Sequence, residues 1–240
     1  MINQVPTLSI VIPCYNEEKS IPELVSRCGM LHVQHGIEFI LVDNGSLDNS
    51  RKILEIQTQD LHGVNTVFID KNLGYGFGIR QGLAATTSTH TGWTHADLQT
   101  DIGDVIAALE VLNALPNANV FIKGKRSDRP IYDTIFTFGM SIFESLLFRT
   151  RLWDINAQPT IFSRNLLKEF VNAPDDFSLD LFAYLLAKNQ GYSVHRIPVY
   201  FHKRVHGVSS WNVGWRSRSK FIKRTLKFSF ELRKRLNANH

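Results

Sequence analysis

The chain of 240 residues has only two cysteines, Cys14 and Cys28. That is too few to staple a fold of this size, and Cys14 ends an apolar run that reads as a buried strand. A reducing, cytoplasmic setting is the expectation. Met1 to Thr7 offer neither a basic leader nor an apolar core of signal-peptide length, so nothing there points to export. Long apolar runs are missing as well. The longest, Ile135 to Phe148, is interrupted by Gly139, Ser141, Glu144 and Ser145 and falls short of a spanning helix. With no repeat or low-complexity segment, and 43% hydrophobic and 20% charged residues, the disordered and fibrous classes are excluded. The length supports one large domain with a core of its own.

Acidic residues are nearly absent at one end. From Arg216 onward there are nine Lys or Arg against Glu231 alone, whereas the preceding residues hold 18 basic and 21 acidic side chains. Basic charge spread over a binding face, as nucleic-acid recognition favours, is not the pattern. We expect a globular domain over residues 1–214 and a basic amphipathic helix over 215–240. In that helix Phe221, Thr225, Phe228, Leu232 and Leu236 recur at helical spacing among basic residues. Such a helix can lie peripherally on an anionic membrane surface or pack its stripe on protein.

Leu8 to Pro13, Phe39 to Asp43 and Val67 to Asp70 are short apolar runs, each followed by turn residues and a helical pattern. Helices are expected at Ile21 to Leu31, Asn49 to Gln57, Gly76 to Ala85 and Ile102 to Leu112, the last capped by Asp101. Further strands are expected at Gly92 to Ala96 and Val120 to Lys123. This alternation predicts a mostly parallel α/β sheet with helices on both faces and ligands beyond the carboxyl ends of its strands. Past Lys125 the rhythm changes to a long helix around Ile131 to Phe148, a strand at Thr160 to Phe162, a helix at Leu179 to Asn189 and a strand at Val194 to Tyr200. This half is expected to carry the other side of the ligand site.

The strand ends read Pro13-Cys14-Tyr15-Asn16-Glu17-Glu18, Asp43-Asn44-Gly45-Ser46, Lys71-Asn72-Leu73-Gly74 and His95-Ala96-Asp97-Leu98-Gln99. In order and spacing they resemble the family-2 glycosyltransferases, and among these the polyprenyl-phosphate hexose transferases of the dolichol-phosphate mannosyltransferase type. The resemblance runs from Leu8 to about Trp211. It implies a GT-A type, Rossmann-like fold and an inverting hexosyltransferase. Such an enzyme moves a hexose from a nucleoside-diphosphate sugar to a polyprenyl-phosphate or saccharide acceptor. Pro13, Tyr15, Glu17, Asp43, Asn72, Gly74, His95 and Ala96 then belong to the nucleotide-sugar site, with Asp43 accepting a nucleobase N–H; Asp-Asn-Gly-Ser is also a good turn in its own right.

Asp97 and Gln99, two apart on a segment read as extended, offer hard oxygen ligands to Mg²⁺ or Mn²⁺ beside a sugar diphosphate. Alternatively they join Asp101 and Asp104 as an acidic helix start. His95 stands where the family usually has Asp, which removes a negative charge from that place. Gly124-Lys125-Arg126 aligns with the family's G-S-R, making Arg126 a phosphate-binding catalytic residue with Lys125 adding charge; a solvated basic loop is the plainer reading. Asp154 to Pro159 departs from the family's D-x-x-S-G-F-R, and Asn156 and Gln158 there read a sugar hydroxyl or form a turn. Asp180 is the candidate base, needed only if the nucleophile is a hydroxyl, with Asp175 and Asp176 as competitors. Arg204, His206 and Ser209 lie in Lys203 to Trp211, a loop resembling R-x-x-G-x-S that can clamp diphosphate or simply cover surface. A nucleotidyltransferase and a non-catalytic nucleotide-sugar binding protein are the rival functions. The former is expected to carry a glycine-rich basic loop after the first strand, where this chain has Pro13 to Glu17.

Overall fold

In the computed structural model, residues 7–115, 119–127, 131–200 and 215–238 are described, with the side chains of 131–137, 215–221 and 235–238 left aside. The strands are β1 (Leu8–Cys14), β2 (Glu38–Asn44), β3 (Val64–Ile69), β4 (His90–Trp93), β5 (Val120–Ser127), β6 (Thr160–Ser163) and β7 (Ser193–Tyr200). The helices are α1 (Ile21–His35), α2 (Ser50–Thr58), α3 (Tyr75–Ala84), α4 (Asp104–Ala114), α5 (Ile131–Phe148), α6 (Leu179–Asn189) and α7 (Trp215–Ala238). A 3₁₀ segment, Arg164–Asn172, precedes α6 and was not expected from the sequence.

The strands form one sheet in the order β3-β2-β1-β4-β6-β5-β7. Every pairing is parallel except those of β6, which runs antiparallel to both β4 and β5. Alternation along β1 sends Leu8, Ile10, Ile12 and Cys14 into a core shared with α1 (Leu24, Val25, Cys28) and α4 (Val105, Ala108, Leu112). Val11 points the other way, towards α3. A Cβ at Gly82 would come within 2.3 Å of Val11 Cγ1 and 2.8 Å of Val42 Cγ2. The sheet is therefore covered on both faces, as its continuous apolar strands require. Across β4, β5 and β6 the filling is aromatic. Phe121 stacks on Phe162 at 5.8 Å and on Tyr184 of α6 at 5.6 Å, and Trp93 meets Phe162 edge-on at 5.7 Å.

Three boundaries differ from the sequence expectation in ways that move site residues. β4 stops at Trp93, so His95 and Ala96 lie beyond it. β5 continues to Ser127 because Gly124, Lys125 and Arg126 pair with Ile197, Pro198 and Val199 of β7, so these three are strand residues and not a loop. α4 begins at Asp104 with Gly103 at its N-cap. Asp101 instead forms a preceding turn, its Oδ1 accepting the Gly103 N–H at 2.7 Å.

The chain divides into two compact units, Met1–Ser127 with Asn156–His206, and Asp128–Ile155 with Gly207–His240. In the second, α5 and α7 pack together through Phe143 and Phe230, whose rings meet edge-on at 6.0 Å. The Ser229 hydroxyl donates to Glu144 Oε1 at 2.7 Å, and the Arg233 guanidinium donates to the Leu147 carbonyl. Of the stripe expected along the tail, Leu232 is buried and Thr225 and Phe228 are half-buried. The side chains of Phe221 and Leu236 lie outside the described residues. Among the described residues no helix is long and apolar enough to cross a membrane.

Candidate active site

The loops after β1 and β2 are tied to each other by reciprocal hydrogen bonds. Asn16, at φ 56°, donates its N–H to Ser46 Oγ at 3.1 Å while its Oδ1 accepts the Leu47 N–H at 2.8 Å. The Glu17 N–H donates to Ser50 Oγ at 2.9 Å, and Glu18 Oε2 accepts the Asn49 N–H at 3.1 Å. The Glu17 carboxylate also accepts the Ser20 hydroxyl at 3.0 Å, just ahead of α1. Pro13 is half-buried within β1, and Tyr15 is left exposed on this platform. The loop after β3 locks on as well. Gly45, at φ 72°, is packed so that a Cβ would stand 2.5 Å from the Asn72 nitrogen, which no L side chain could tolerate.

Asp43, the last residue but one of β2, is fully buried. Its Oδ1 accepts the Ser46 N–H at 3.2 Å, which is the turn-forming role. Its Oδ2 is buried with no hydrogen-bond partner among the described residues. A carboxylate oxygen left that way is costly unless a ligand donor completes it. Beside it, Asn44 Nδ2 donates to the Gly74 carbonyl at 3.0 Å, and Asn72 Oδ1 accepts the Gly74 N–H at 2.9 Å. Gly74, at φ 130°, has no room for a side chain, because a Cβ would meet the Asp175 carbonyl oxygen at 2.2 Å. This contact seats the segment before α6 against the start of α3, where the Phe77 N–H donates to the same carbonyl at 3.0 Å. Asp175 is itself engaged by Arg80 at 2.6 Å.

Tyr75, the first residue of α3, gathers the second half of the site. Its ring stacks on Phe177 at 4.5 Å and lies 6.1 Å from the half-exposed His95 ring. Burial, reinforced by the Asp180 carboxylate, pushes the Tyr75 phenol well above its ordinary range; the Trp93 N–H and the Arg126 guanidinium act against this, and Asp97 adds to it. Asp97, Arg126 and Asp180 thus share the neighbourhood of one phenol. Asp97 and Gln99 do not lie on an extended segment: Leu98 between them has φ 53°, and Asp97 Oδ1 accepts the Gln99 N–H at 3.1 Å. They form a tight turn, so alternation along a strand no longer argues that their side chains point together. Ala96 is buried in the core shared with α1 and α4.

Asp180 is buried at the start of α6 instead of facing solvent. It accepts from Gln158 Nε2 at 2.7 Å and lies 3.7 Å from the equally buried Lys123 ammonium, which donates to Thr160 Oγ1 at 2.9 Å. Gln158 also reaches the Tyr75 hydroxyl at 3.2 Å. Arg126 donates to the Asn156 carbonyl, and Lys125 is exposed. Tyr75 and Lys123 escaped the sequence reading. Lys123 looked like the charge that ends a strand, whereas β5 runs four residues past it. Arg204, His206 and Ser209 lie outside the described residues. Among the described residues no three His, Cys, Asp or Glu come together as a metal cage. Mg²⁺ and its like are commonly held through one or two carboxylates plus substrate phosphates, and Asp97 offers one carboxylate of that kind.

The model of glycosyl transferase family 2 matches residues 9–169, a stretch that contains all four strand-end loops. The chain belongs to glycosyl transferase family 2. Two curated relatives, both undecaprenyl-phosphate 4-deoxy-4-formamido-L-arabinose transferases, are 39% identical to it: that of Proteus mirabilis over 98 residues and that of Pseudomonas fluorescens over 97, each 38% of this chain. The matched stretch spans 29% and 28% of those proteins. Among solved structures, glucosyl-3-phosphoglycerate synthase from Mycobacterium tuberculosis in complex with Mn²⁺ and UDP-glucose superposes with a TM-score of 0.69 at 19% identity, covering 93% of this chain and 79% of that one. At that identity the likeness concerns the fold, which is the GT-A type that the strand-end motifs imply for a family-2 member.

Proposed function

We propose that the chain is an inverting glycosyltransferase that moves a sugar from a nucleoside-diphosphate donor to a phosphate acceptor, a polyprenyl phosphate foremost, with the help of Mg²⁺ or Mn²⁺. The observation that carries this reading is Asp43 Oδ2, buried with no hydrogen-bond partner among the described residues where the loops after β1, β2 and β3 are locked together. The curated relatives act on undecaprenyl phosphate, and the solved relative was crystallised with Mn²⁺ and UDP-glucose.

In this reading the nucleobase N–H meets Asp43 Oδ2, with Pro13, Tyr15, Glu17, Asn72 and Gly74 around the nucleoside. The donor diphosphate lies by His95, Asp97 and Gln99. A divalent ion there would neutralise charge developing on the leaving diphosphate. Arg126, with Lys125, binds acceptor phosphate. The acceptor oxygen forms its bond to the anomeric carbon as the bond to the diphosphate breaks on the opposite face. A phosphate nucleophile arrives ionised and needs no base. That agrees with an Asp180 carboxylate already occupied inside the protein, by Gln158 Nε2 at 2.7 Å and beside the buried Lys123 ammonium at 3.7 Å. Asp180 then acts through Gln158 as an anchor of Tyr75. Arg204, His206 and Ser209 remain assigned to the diphosphate. The tail cations attract the chain to an anionic membrane surface, where each is worth about 1 kcal/mol.

The test is hydrolysis of a panel of UDP- and GDP-sugars with and without Mn²⁺. Metal-dependent turnover should fall about 10²-fold or more in Asp97→Ala. Equal turnover in that variant would remove Asp97 from the site, and no turnover of any donor would favour a binding protein.

A further inference from the structure

Tyr75, the first residue of α3, is only partly covered, yet its place is fixed from several sides. Glycines flank it. A Cβ at Gly74 would meet the Asp175 carbonyl oxygen at 2.2 Å, and one at Gly76 the Pro174 carbonyl oxygen at 2.4 Å. The start of the helix is thus pressed onto the segment before α6, and the Tyr75 ring stacks on Phe177 of that segment at 4.5 Å. Gln158 is held from the other side. A Cβ at Gly124 of β5 would meet its carbonyl oxygen at 2.2 Å, and the residue is 1% exposed.

The hydrogens of this pair do not all have a place. Gln158 Nε2 donates to Asp180 Oδ1 at 2.7 Å and to the Tyr75 oxygen at 3.2 Å. The Asp180 carboxylate, beside the Lys123 ammonium, has only acceptors to offer, so it decides which end of the amide faces it. The Tyr75 oxygen therefore accepts from Gln158, and the Trp93 N–H and the Arg126 guanidinium near it are donors too. Its own hydrogen goes to no acceptor among the described residues. Gln158 Oε1 is buried with no partner among them either. Oε1 and Nε2 belong to one planar amide, so an unspent donor and an unspent acceptor stand side by side. Polar groups left that way are costly until a ligand or water completes them. A hydroxyl completes both, accepting from Tyr75 and donating to Gln158. A phosphate oxygen takes the Tyr75 hydrogen alone and sets its charge against the Gln158 carbonyl. The phenol also neighbours Asp97, assigned above to the donor diphosphate, and Arg126, assigned to the acceptor phosphate. Between those two phosphates lies the sugar in transfer.

We propose that Tyr75 and Gln158 bind one hydroxyl of the transferred sugar, Tyr75 donating to it and Gln158 Oε1 accepting from it, and so select donors with a free hydroxyl at that position. This rests on the donor site proposed above. The experiment is calorimetry of the full chain with Mn²⁺, comparing wild type with Tyr75→Phe. The probes are a panel of UDP- and GDP-hexoses, the matching free nucleoside diphosphate, and the monodeoxy forms of the hexose bound most tightly. Wild type should bind one monodeoxy form about tenfold or more weakly than the parent, because that donor leaves both groups unpaired. Tyr75→Phe should bind the parent about tenfold more weakly and lose most of its discrimination against that monodeoxy form. Its affinity for the free nucleoside diphosphate and its melting temperature without ligand should stay those of wild type. Equal weakening of the free nucleoside diphosphate and the sugar donor gives the Tyr75 hydrogen to the diphosphate and overturns the assignment. So does a wild type that treats every monodeoxy form like the parent, or a variant that discriminates as sharply as wild type; the phenol is then a packing element with water on its hydrogen. A wild type that binds no nucleoside-diphosphate sugar of the panel overturns the donor site itself, and this assignment with it.

Discussion

Two buried carboxylates have opposite circumstances. Asp43 has one oxygen used and one without a partner, which is destabilising in the absence of ligand and favourable in its presence. Asp43→Asn should therefore leave stability unchanged or slightly raised while weakening UDP binding about tenfold, the scale of one hydrogen bond to a charged group; paired calorimetry and thermal melting check this. Asp180 is compensated by Lys123. Lys123→Met strands the carboxylate in the interior and should cost about 3–5 kcal/mol, whereas the double change Lys123→Met/Asp180→Leu should recover much of it. Urea unfolding of the three variants separates this pairing from a simple loss of packing: if the double variant is no better than the single one, the two charges are not coupled. Asp43 was legible in the sequence because an apolar run ending in Asp-Asn-Gly-Ser is local information. The Lys123–Asp180 pair was not, because its members are joined only once β5 and α6 pack through Phe121 and Tyr184.

At the scale of the element, strands β1 and β2 and helices α1, α3, α5 and α6 fall close to where hydrophobic periodicity puts them, since each carries its own apolar pattern. β4 and β5 do not end where the pattern suggested. Their lengths are set by neighbours, β5 being extended by its register with β7 and β4 giving way to the Asp97 turn. Which side of α5 is covered is equally beyond a single helix pattern: Ser141 and Glu144 are buried while Ile142 and Leu146 are exposed, and Glu144 is held by Ser229 of α7. Burial raises the Glu144 carboxyl from 4.5 to about 7, the Ser229 hydroxyl opposing the shift. The folded chain keeps that proton up to about pH 7, where the unfolded chain releases it near 4.5. The stabilisation is thus fully present below 4.5 and is lost as pH rises through 7. Glu144→Gln, which stays neutral, should remove this loss. Its melting temperature should gain on wild type between pH 5 and 8, and parallel pH profiles would show that Glu144 is not the titrating group.

Over the whole molecule, charge and chemistry are segregated. The unit with the sheet carries the four strand-end loops, and the other carries all of the surplus positive charge and the exposed apolar residues of α5. The charge asymmetry and the four motifs are plain in the sequence, while the antiparallel β6 that splits the sheet came only with the structure. The account's central claim is metal-assisted transfer from a nucleoside-diphosphate sugar to a phosphate acceptor. The most direct test is mass spectrometry of products formed from undecaprenyl phosphate and a panel of nucleoside-diphosphate sugars, with Mn²⁺ or with chelator. The account predicts a glycosyl phosphate lipid of inverted anomeric configuration, formed with metal and lost in chelator and in Asp97→Ala. Equal product under chelation, or retention of configuration, would contradict it.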